Sequence, residues 1–480
     1  MPNARAVRAF PWTAVALALT GSLFFARMLV RVDPDMFFHL KEGGRVLAEG
    51  RLPLVEDYSY TRPGKTMVAT EWLSGAVFAA LFRLGAYPAV AAFNALLLVA
   101  ALWLMTRVWG DDGPPEPLRA LLAALAAFAL LNFALAKVQN FTFFFFALYL
   151  YWARLWERGR KWAPWAMAAA LAPWVNLHGG FMLGWAILAG VCGRDFLETR
   201  RPRALAPWAL GTFACFLHPN GATAFVYPLW FFFSAPAGRG LILEWRPLGP
   251  AWSAAPYALL LAVFLAARTD RLRSRFPWAA LVLVFLVLGL RTRKMLPFFA
   301  LGAGAASGLA WARASLGGAR SRFCLAGAAA LLLAIAAIEA GEARALAPLG
   351  PISDFEREFP RVAAEKTAAL YPGRRLFHPY DWGGYLLYKI APGVPVFIDG
   401  RLDPYWTLIP AYKTLIEAAP GWSVLADAFG IETALLPPGS PLAKALHADP
   451  AWKAVGGDGH AELFARRLLR PAEKDGTQSK

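Results

Sequence analysis

The chain has 480 residues, a formal net charge of +17 and 58% hydrophobic residues, with a mean hydropathy of +0.43. That apolar share excludes an ordinary soluble globular protein. The cations gather in short loops between apolar runs, a positive-inside pattern that assigns the charge to membrane orientation and anionic lipid contact and not to nucleic acid.

Apolar runs near 20 residues match a hydrocarbon core of about 30 Å. They do not alternate with polar residues, so helices are expected rather than a barrel. The first run, 10–30, follows Arg5 and Arg8 and ends at Arg27 and Arg31. It is too long for a signal-peptide core and reads as a retained first helix.

Further spanning segments are expected at 88–106, 118–135, 141–153, 162–178, 181–194, 204–218, 251–267, 276–290, 295–312 and 323–340. The run 71–84 reaches only about 21 Å as a helix and reads as interfacial or half-depth. Basic loops at 154–161, 194–203, 268–275 and 313–322 are assigned to the cytoplasmic side, with the N-terminus. That places the loop 31–70 and the turns at 178–180, 218–220 and 291–294 outside.

After residue 340 the composition turns to mixed charge with many prolines and glycines. Strands are expected at 395–398, 433–436 and 462–464, and a helix near 442–446. The expected fold is therefore mainly α: a polytopic membrane bundle of about 11–13 helices, with a small C-terminal extracytoplasmic α/β domain. The domains read as 1–340, 341–470 and a disordered tail, 471–480.

Asp33 and Asp35 flank a proline in the first outer loop, followed by His39, Lys41 and Glu42. One acid suits a general base toward a hydroxyl; both suit a divalent cation such as Mg or Mn; either suits a helix cap. Arg291, Arg293 and Lys294 crowd a short outer turn, where guanidinium groups match phosphate. His178 and His218 each end an apolar segment on the same side, and with His39 they show no metal-ligand spacing. Glu71-Trp72 and Glu244-Trp245 pair a carboxylate with an indole, an arrangement for sugar stacking or for the membrane interface. Asn140 and Lys137 add outer polar groups. In the C-terminal part, Tyr380-Asp381-Trp382-Gly383-Gly384-Tyr385 and Phe397-Ile398-Asp399-Gly400-Arg401 suit either ligand binding or a core turn. Cys192, Cys215 and Cys324 lie in or beside apolar runs and read as packing residues.

A first helix, an outer loop with Asp33-x-Asp35, many further helices and an outer C-terminal domain resemble the GT-C superfamily of integral-membrane glycosyltransferases. The block Asp33-Pro34-Asp35-Met36-Phe37-Phe38-His39-Leu40, with Asp57-Tyr58-Ser59-Tyr60 and Glu71-Trp72-Leu73, resembles a bacterial branch of it. Tyr380, Asp381 and Trp382 lie where the chain distantly resembles the acceptor-contacting motif of oligosaccharyltransferase catalytic subunits, without its Trp pair and in a different order.

The resemblance implies a polyprenyl-phosphate sugar donor, a lipid, glycan or protein acceptor, and Asp35 or Asp33 as the catalytic acid-loop residue. It implies a bacterial inner membrane location with the C-terminal domain periplasmic or extracellular. The other outer polar residues, His39, Lys41, Glu42, Glu71, Trp72, Asn140, His178, His218, Glu244, Arg291, Arg293 and Lys294, are candidates for substrate binding. Two alternatives stand beside this: a lipid or solute transporter or flippase, and a non-catalytic membrane scaffold with an outer binding domain.

Overall fold

A computed structural model describes residues 10–234, 243–248, 251–266, 276–312, 314–401 and 403–467. Arg5, Arg8, the loop 268–275 and the tail 471–480 lie outside the described residues. The helices, in chain order, are α1 (Trp12–Val30), α2 (Asp35–Glu49), α3 (Trp72–Trp109), α4 (Glu116–Leu130), α5 (Gln139–Glu157), α6 (Ala163–Leu177) and α7 (Phe181–Thr199). Then come α8 (Ala206–Ala214), α9 (Ala222–Ser234), α10 (Ala251–Leu265), α11 (Trp278–Arg291), α12 (Leu296–Ala310) and α13 (Gly318–Leu346). The rest of the chain holds α14 (Arg361–Leu370), β1 (Leu376–Phe377), α15 (Gly383–Lys389), α16 (Ile409–Ile416), α17 (Trp422–Ala428), β2 (Thr433–Leu436), α18 (Pro441–Ala448), β3 (Trp452–Gly457) and β4 (Glu462–Arg466).

The chain divides into two compact units whose borders cut across the sequence. The first comprises Met1–Arg31, Pro88–Pro228 and Arg239–Leu346; the second comprises Val32–Tyr87, Leu229–Gly238 and Ala347–Lys480. One border falls inside α3. Gly85 and Ala86 leave helical geometry there, Ala86 with a φ of 52°. Pro88 explains the break, because it lacks a donor for the preceding turn and restricts its neighbour. The separate segments 71–84 and 88–106 expected from the sequence are the two sides of it.

The first unit is helical throughout, and every expected apolar segment coincides with a helix. Among the described residues, Trp12–Val30, Trp72–Trp109, Glu116–Phe133 and Gly318–Leu349 are long and apolar enough to cross a bilayer. Helix α4 is central and packs on α1, α10, α12 and α13. It is rich in alanine, which lets its neighbours approach closely. Helix α12 is buried along its whole length. A Cβ on its Gly308 would lie 2.0 Å from Nε1 of Trp109, which donates to the Gly304 and Ala305 carbonyls, both at 3.2 Å. Arg27 on α1 meets Glu339 on α13 at 2.8 Å, so a charge in an apolar helix is paired.

The second unit carries a four-stranded sheet in the order β1-β2-β4-β3. β1 runs parallel to β2; the other pairs are antiparallel. Strands β2 and β4 and helix α18 match the sequence reading. The stretch 395–398 does not form a strand of this sheet. Val396 instead bridges to the first loop, its amide donating to the Tyr58 carbonyl at 3.2 Å and its carbonyl accepting from Tyr60 at 3.2 Å. Pro395 removes a donor, which suits an edge contact and not a central ladder.

The core of the second unit is completed from the first loop. Phe37 of α2 is fully buried. Its ring lies 4.7 Å from Phe359, 5.0 Å from Tyr385 and 5.5 Å from Phe355. Helix α2 also crosses the start of α3 closely, because Gly43 and Gly75 leave room. A Cβ on Gly43 would sit 1.9 Å from the Gly75 carbonyl oxygen.

Candidate active site

The two first-loop acids play different parts. Asp33 is buried at 4% exposure, and its Oδ1 accepts the Asp35 amide at 3.0 Å. Its carbonyl takes the Met36 amide at 3.1 Å. Asp33 therefore anchors the turn that leads through Pro34 into α2. Asp35, at the first position of the helix, is exposed. A carboxylate there is favoured by the positive end of the helix dipole.

Asp35 faces two turns of the C-terminal part. A Cβ on Gly400 would lie 2.1 Å from Asp35 Oδ1, and one on Gly384 would lie 2.8 Å from the Pro34 carbonyl oxygen. The Tyr380 hydroxyl donates to the Gly400 carbonyl at 3.4 Å. Burial, followed by the carboxylates of Asp35, Asp399 and Asp381, pushes that hydroxyl well above its ordinary pKa. Tyr380 thus stays a neutral donor near Asp35. Asp381 is exposed, while Trp382 packs on the buried core beneath. The chain thus brings Asp35 together with the Tyr380–Trp382 turn, 345 residues later.

Behind this face lies a buried ionic cluster centred on Arg401. Asp399 Oδ1 accepts the Arg401 amide at 2.9 Å and Nε at 2.8 Å, and Asp399 Oδ2 takes Nη2 at 2.6 Å and the Tyr405 hydroxyl at 2.8 Å. Glu56 also pairs with Nη2, and its other oxygen accepts the Tyr58 amide at 2.9 Å. Glu42 accepts from Nη1 at 3.1 Å. Burial pushes Glu42 up to about 7, against the pull of Arg401 and Arg45. Burial raises Glu56 as well; on Asp399 the Arg401 contacts outweigh burial and hold the carboxyl below its ordinary value. The sequence reading missed Arg401, Asp399 and Glu56 as a unit. The available signal was a lone Arg between two acids in the run Asp399-Gly400-Arg401-Leu402-Asp403, where Leu402 lies outside the described residues.

His39 is buried, with Nε2 3.6 Å from Glu71 Oε2. Burial pushes the imidazole down to about 3, so it is neutral near pH 7 and this proximity is not an ion pair. Lys41 donates to the Ala391 carbonyl at 2.9 Å. Trp72 begins α3 beside Glu71.

The remaining candidates belong to the first unit. Glu244 meets Lys137 at 2.6 Å, and Lys294 lies 5.1 Å over the Trp245 ring. Burial opposes the Glu244 charge, yet Lys137 and Lys294 hold the carboxyl below its ordinary value. The Arg293 Nε donates to the Pro247 carbonyl at 3.0 Å, and Arg291 is exposed at the end of α11. The expected outer groups Lys137, Glu244, Trp245 and Lys294 therefore form one cluster. His178 and His218 act alike: each Nδ1 accepts the amide two residues on, Gly180 or Asn220, at 3.0 Å. The Thr142 hydroxyl donates to His178 Nδ1 at 2.8 Å. Asn140 is buried and donates to Asn94 at 2.9 Å and to the Leu135 carbonyl at 2.7 Å.

Among the described residues no group of three or more His, Cys, Asp or Glu side chains is placed to hold a metal ion. Asp33, engaged by an amide, and exposed Asp35 do not make a closed cation site.

No family model and no curated protein matches the sequence. Solved structures do match. The archaeal oligosaccharyltransferase AglB from Archaeoglobus fulgidus, solved with an inhibitory peptide and a dolichol-phosphate, superposes with a TM-score of 0.57 at 12% identity, over 89% of this chain and 69% of that one. ArnT from Cupriavidus metallidurans, in the apo state, superposes with a TM-score of 0.52 at 14% identity, over 95% of this chain and 97% of that one. This chain shares the fold of both. Four of its described helices are long and apolar enough to cross a membrane.

Proposed function

We propose that the chain is a membrane glycosyltransferase that moves a sugar from a polyprenyl-phosphate donor to an extracytoplasmic acceptor. The observation that carries the reading is exposed Asp35 at the N-terminus of α2, against Gly400 and near Tyr380, in a chain with the GT-C fold. In this reading the acceptor hydroxyl oxygen attacks the anomeric carbon and its proton passes to Asp35. The bond from that carbon to the phosphate oxygen breaks, and polyprenyl phosphate leaves with the electron pair. Phosphate is a good leaving group, so positioning and charge stabilisation supply most of the rate.

Tyr380 and Asp381 are assigned to the acceptor. Arg291, Arg293 and Lys294 are assigned to the donor phosphate, with Arg291 exposed for it. His39, Glu71 and Trp72 are assigned to the sugar. The assigned setting is a bacterial inner membrane, with the N-terminus cytoplasmic and residues 341–470 on the far side.

The test is transfer of labelled sugar from a polyprenyl-phosphate donor by protein in nanodiscs. Asp35→Asn is expected to lose on the order of 100-fold or more in rate, the usual size of a general-base effect. Full transfer by a correctly inserted Asp35→Asn protein overturns the assignment. Asp33→Asn is expected to act mainly on stability.

A further inference from the structure

A cleft of about 940 Å³ opens in the second unit, on the face of α2 that carries Lys41 and Arg45. Its walls bring together five cations, Lys41, Arg45, Arg51, Arg83 and Lys389. Two carboxylates, Glu49 and Asp57, line the cleft with them, and Glu42 lies 3.8 Å from Arg45.

The cations differ in how they are balanced. Asp57 takes Arg45 through both oxygens, at 3.1 and 2.9 Å, and Arg51 at 2.9 Å. Lys389 is paired outside the cleft with Glu356 at 3.0 Å and Glu365 at 3.3 Å. Lys41 and Arg83 have no such partner among the described residues. Lys41 donates to the Ala391 carbonyl, and Arg83 reaches the Gly44 carbonyl at 3.4 Å. Gly44 lies one turn after Lys41 on α2, so both uncompensated charges border one stretch of the cleft wall. Burial and then the neighbouring Arg45 work against the Lys41 charge and outweigh the support it draws from Glu42. An anion in the cleft would relieve that.

We propose that this cleft binds a phosphoryl group between Lys41 and Arg83. Two unbalanced cations match a phosphomonoester, which carries about −1.5 to −2 near neutral pH, better than a single carboxylate. Lysine offers a point charge and arginine a planar fork, the pair of donors that phosphate recognition uses. Tyr58 and Tyr388 also line the cleft, with the Arg45 guanidinium 5.1 Å over the Tyr58 ring. The inference deepens the transferase reading by making the acceptor, or a lipid held beside it, phosphorylated; the binding itself does not depend on turnover.

The experiment measures binding without a sugar donor. Full-length protein in phosphatidylcholine nanodiscs is titrated with inorganic pyrophosphate and, separately, with undecaprenyl phosphate; a third arm replaces part of the lipid with phosphatidic acid. The Lys41→Gln/Arg83→Gln variant is expected to bind at least tenfold more weakly in the arm that binds wild type. Lys41→Arg is expected to restore most of the affinity. Dependence in the pyrophosphate arm assigns a soluble phosphate, and dependence confined to a lipid arm assigns a headgroup; both support the proposal. Wild type binding in none of the arms, or a double variant binding as wild type does, overturns it. Full transfer by Asp35→Asn with intact phosphate binding would count against the catalytic assignment of Asp35 and leave this site standing.

Discussion

Gly400 gives Asp35 the space it occupies: a methyl group in place of the glycine hydrogen would lie 2.1 Å from the Asp35 carboxylate and 3.0 Å from the Phe38 ring. Gly400 is not among the glycines with positive φ, so its backbone accepts alanine. The first-loop acid and the C-terminal turn are fitted to one another at the level of a single carbon.

Gly400→Ala therefore displaces the Asp35 carboxylate without straining its own backbone, with a smaller adjustment at the Phe38 ring. Transfer is expected to fall tenfold or more, while the melting midpoint in nanodiscs moves by only a few degrees. A variant with unchanged transfer would separate Asp35 from the reaction.

Arg401 is the counter-charge for Glu42, Glu56 and Asp399 together. Arg401→Met leaves those acids buried without it. Breaking a buried ion pair from one side costs about 3–5 kcal/mol, so loss of folded protein is expected. Size-exclusion profiles after solubilisation would show it. Arg401→Lys is expected to rescue only partly, because an ammonium cannot make the Nε and Nη contacts at once.

Glu42 predicts a pH response. Its carboxyl is raised to about 7 in the folded chain, so between its ordinary range and 7 the folded state holds more protons than the unfolded one. Its contribution to stability is therefore full below the ordinary carboxyl range and declines as pH rises toward 7. Glu42→Gln removes that decline. The difference in melting midpoint between variant and wild type should grow in favour of the variant from pH 4.5 to pH 7.5. A constant difference would show that Glu42 does not titrate there. His39, pushed down to about 3, works in the opposite direction: its contribution is lost as pH falls below 6.5. Only the difference between variant and wild type isolates Glu42.

Phe37 belongs to α2 yet fills the core beneath Tyr385 and Phe359. Phe37→Ala is expected to cost about 3–5 kcal/mol. Residues 341–480 made alone lack this ring, so they are expected to be proteolytically labile. A stably folded fragment would favour the scaffold alternative.

The membrane helices were legible because an apolar run declares its own length, and the break in α3 because Gly85 and Pro88 mark it locally. Strands β2 and β4 showed as short runs rich in apolar residues, and they are buried along most of their length. The stretch 395–398 was misleading, since its partner is Tyr58–Tyr60 and no local pattern records that. Asp33 and Asp35 look equivalent in sequence; only the amide taken by Asp33 tells them apart. The Arg401 cluster was illegible for the same reason, because Arg401 and Glu42 are 359 residues apart. The cations of the cleft share this fate: Lys41 and Lys389 acquire a common wall only through folding.

That span has a consequence for biosynthesis. At about 5–20 residues per second, Glu42 leaves the ribosome roughly 20–70 s before Arg401 does. Throughout that interval the nascent first loop holds acids and an aromatic ring whose partners do not yet exist. A chain terminated before Arg401 can insert its early helices but cannot finish the loop that follows the first of them.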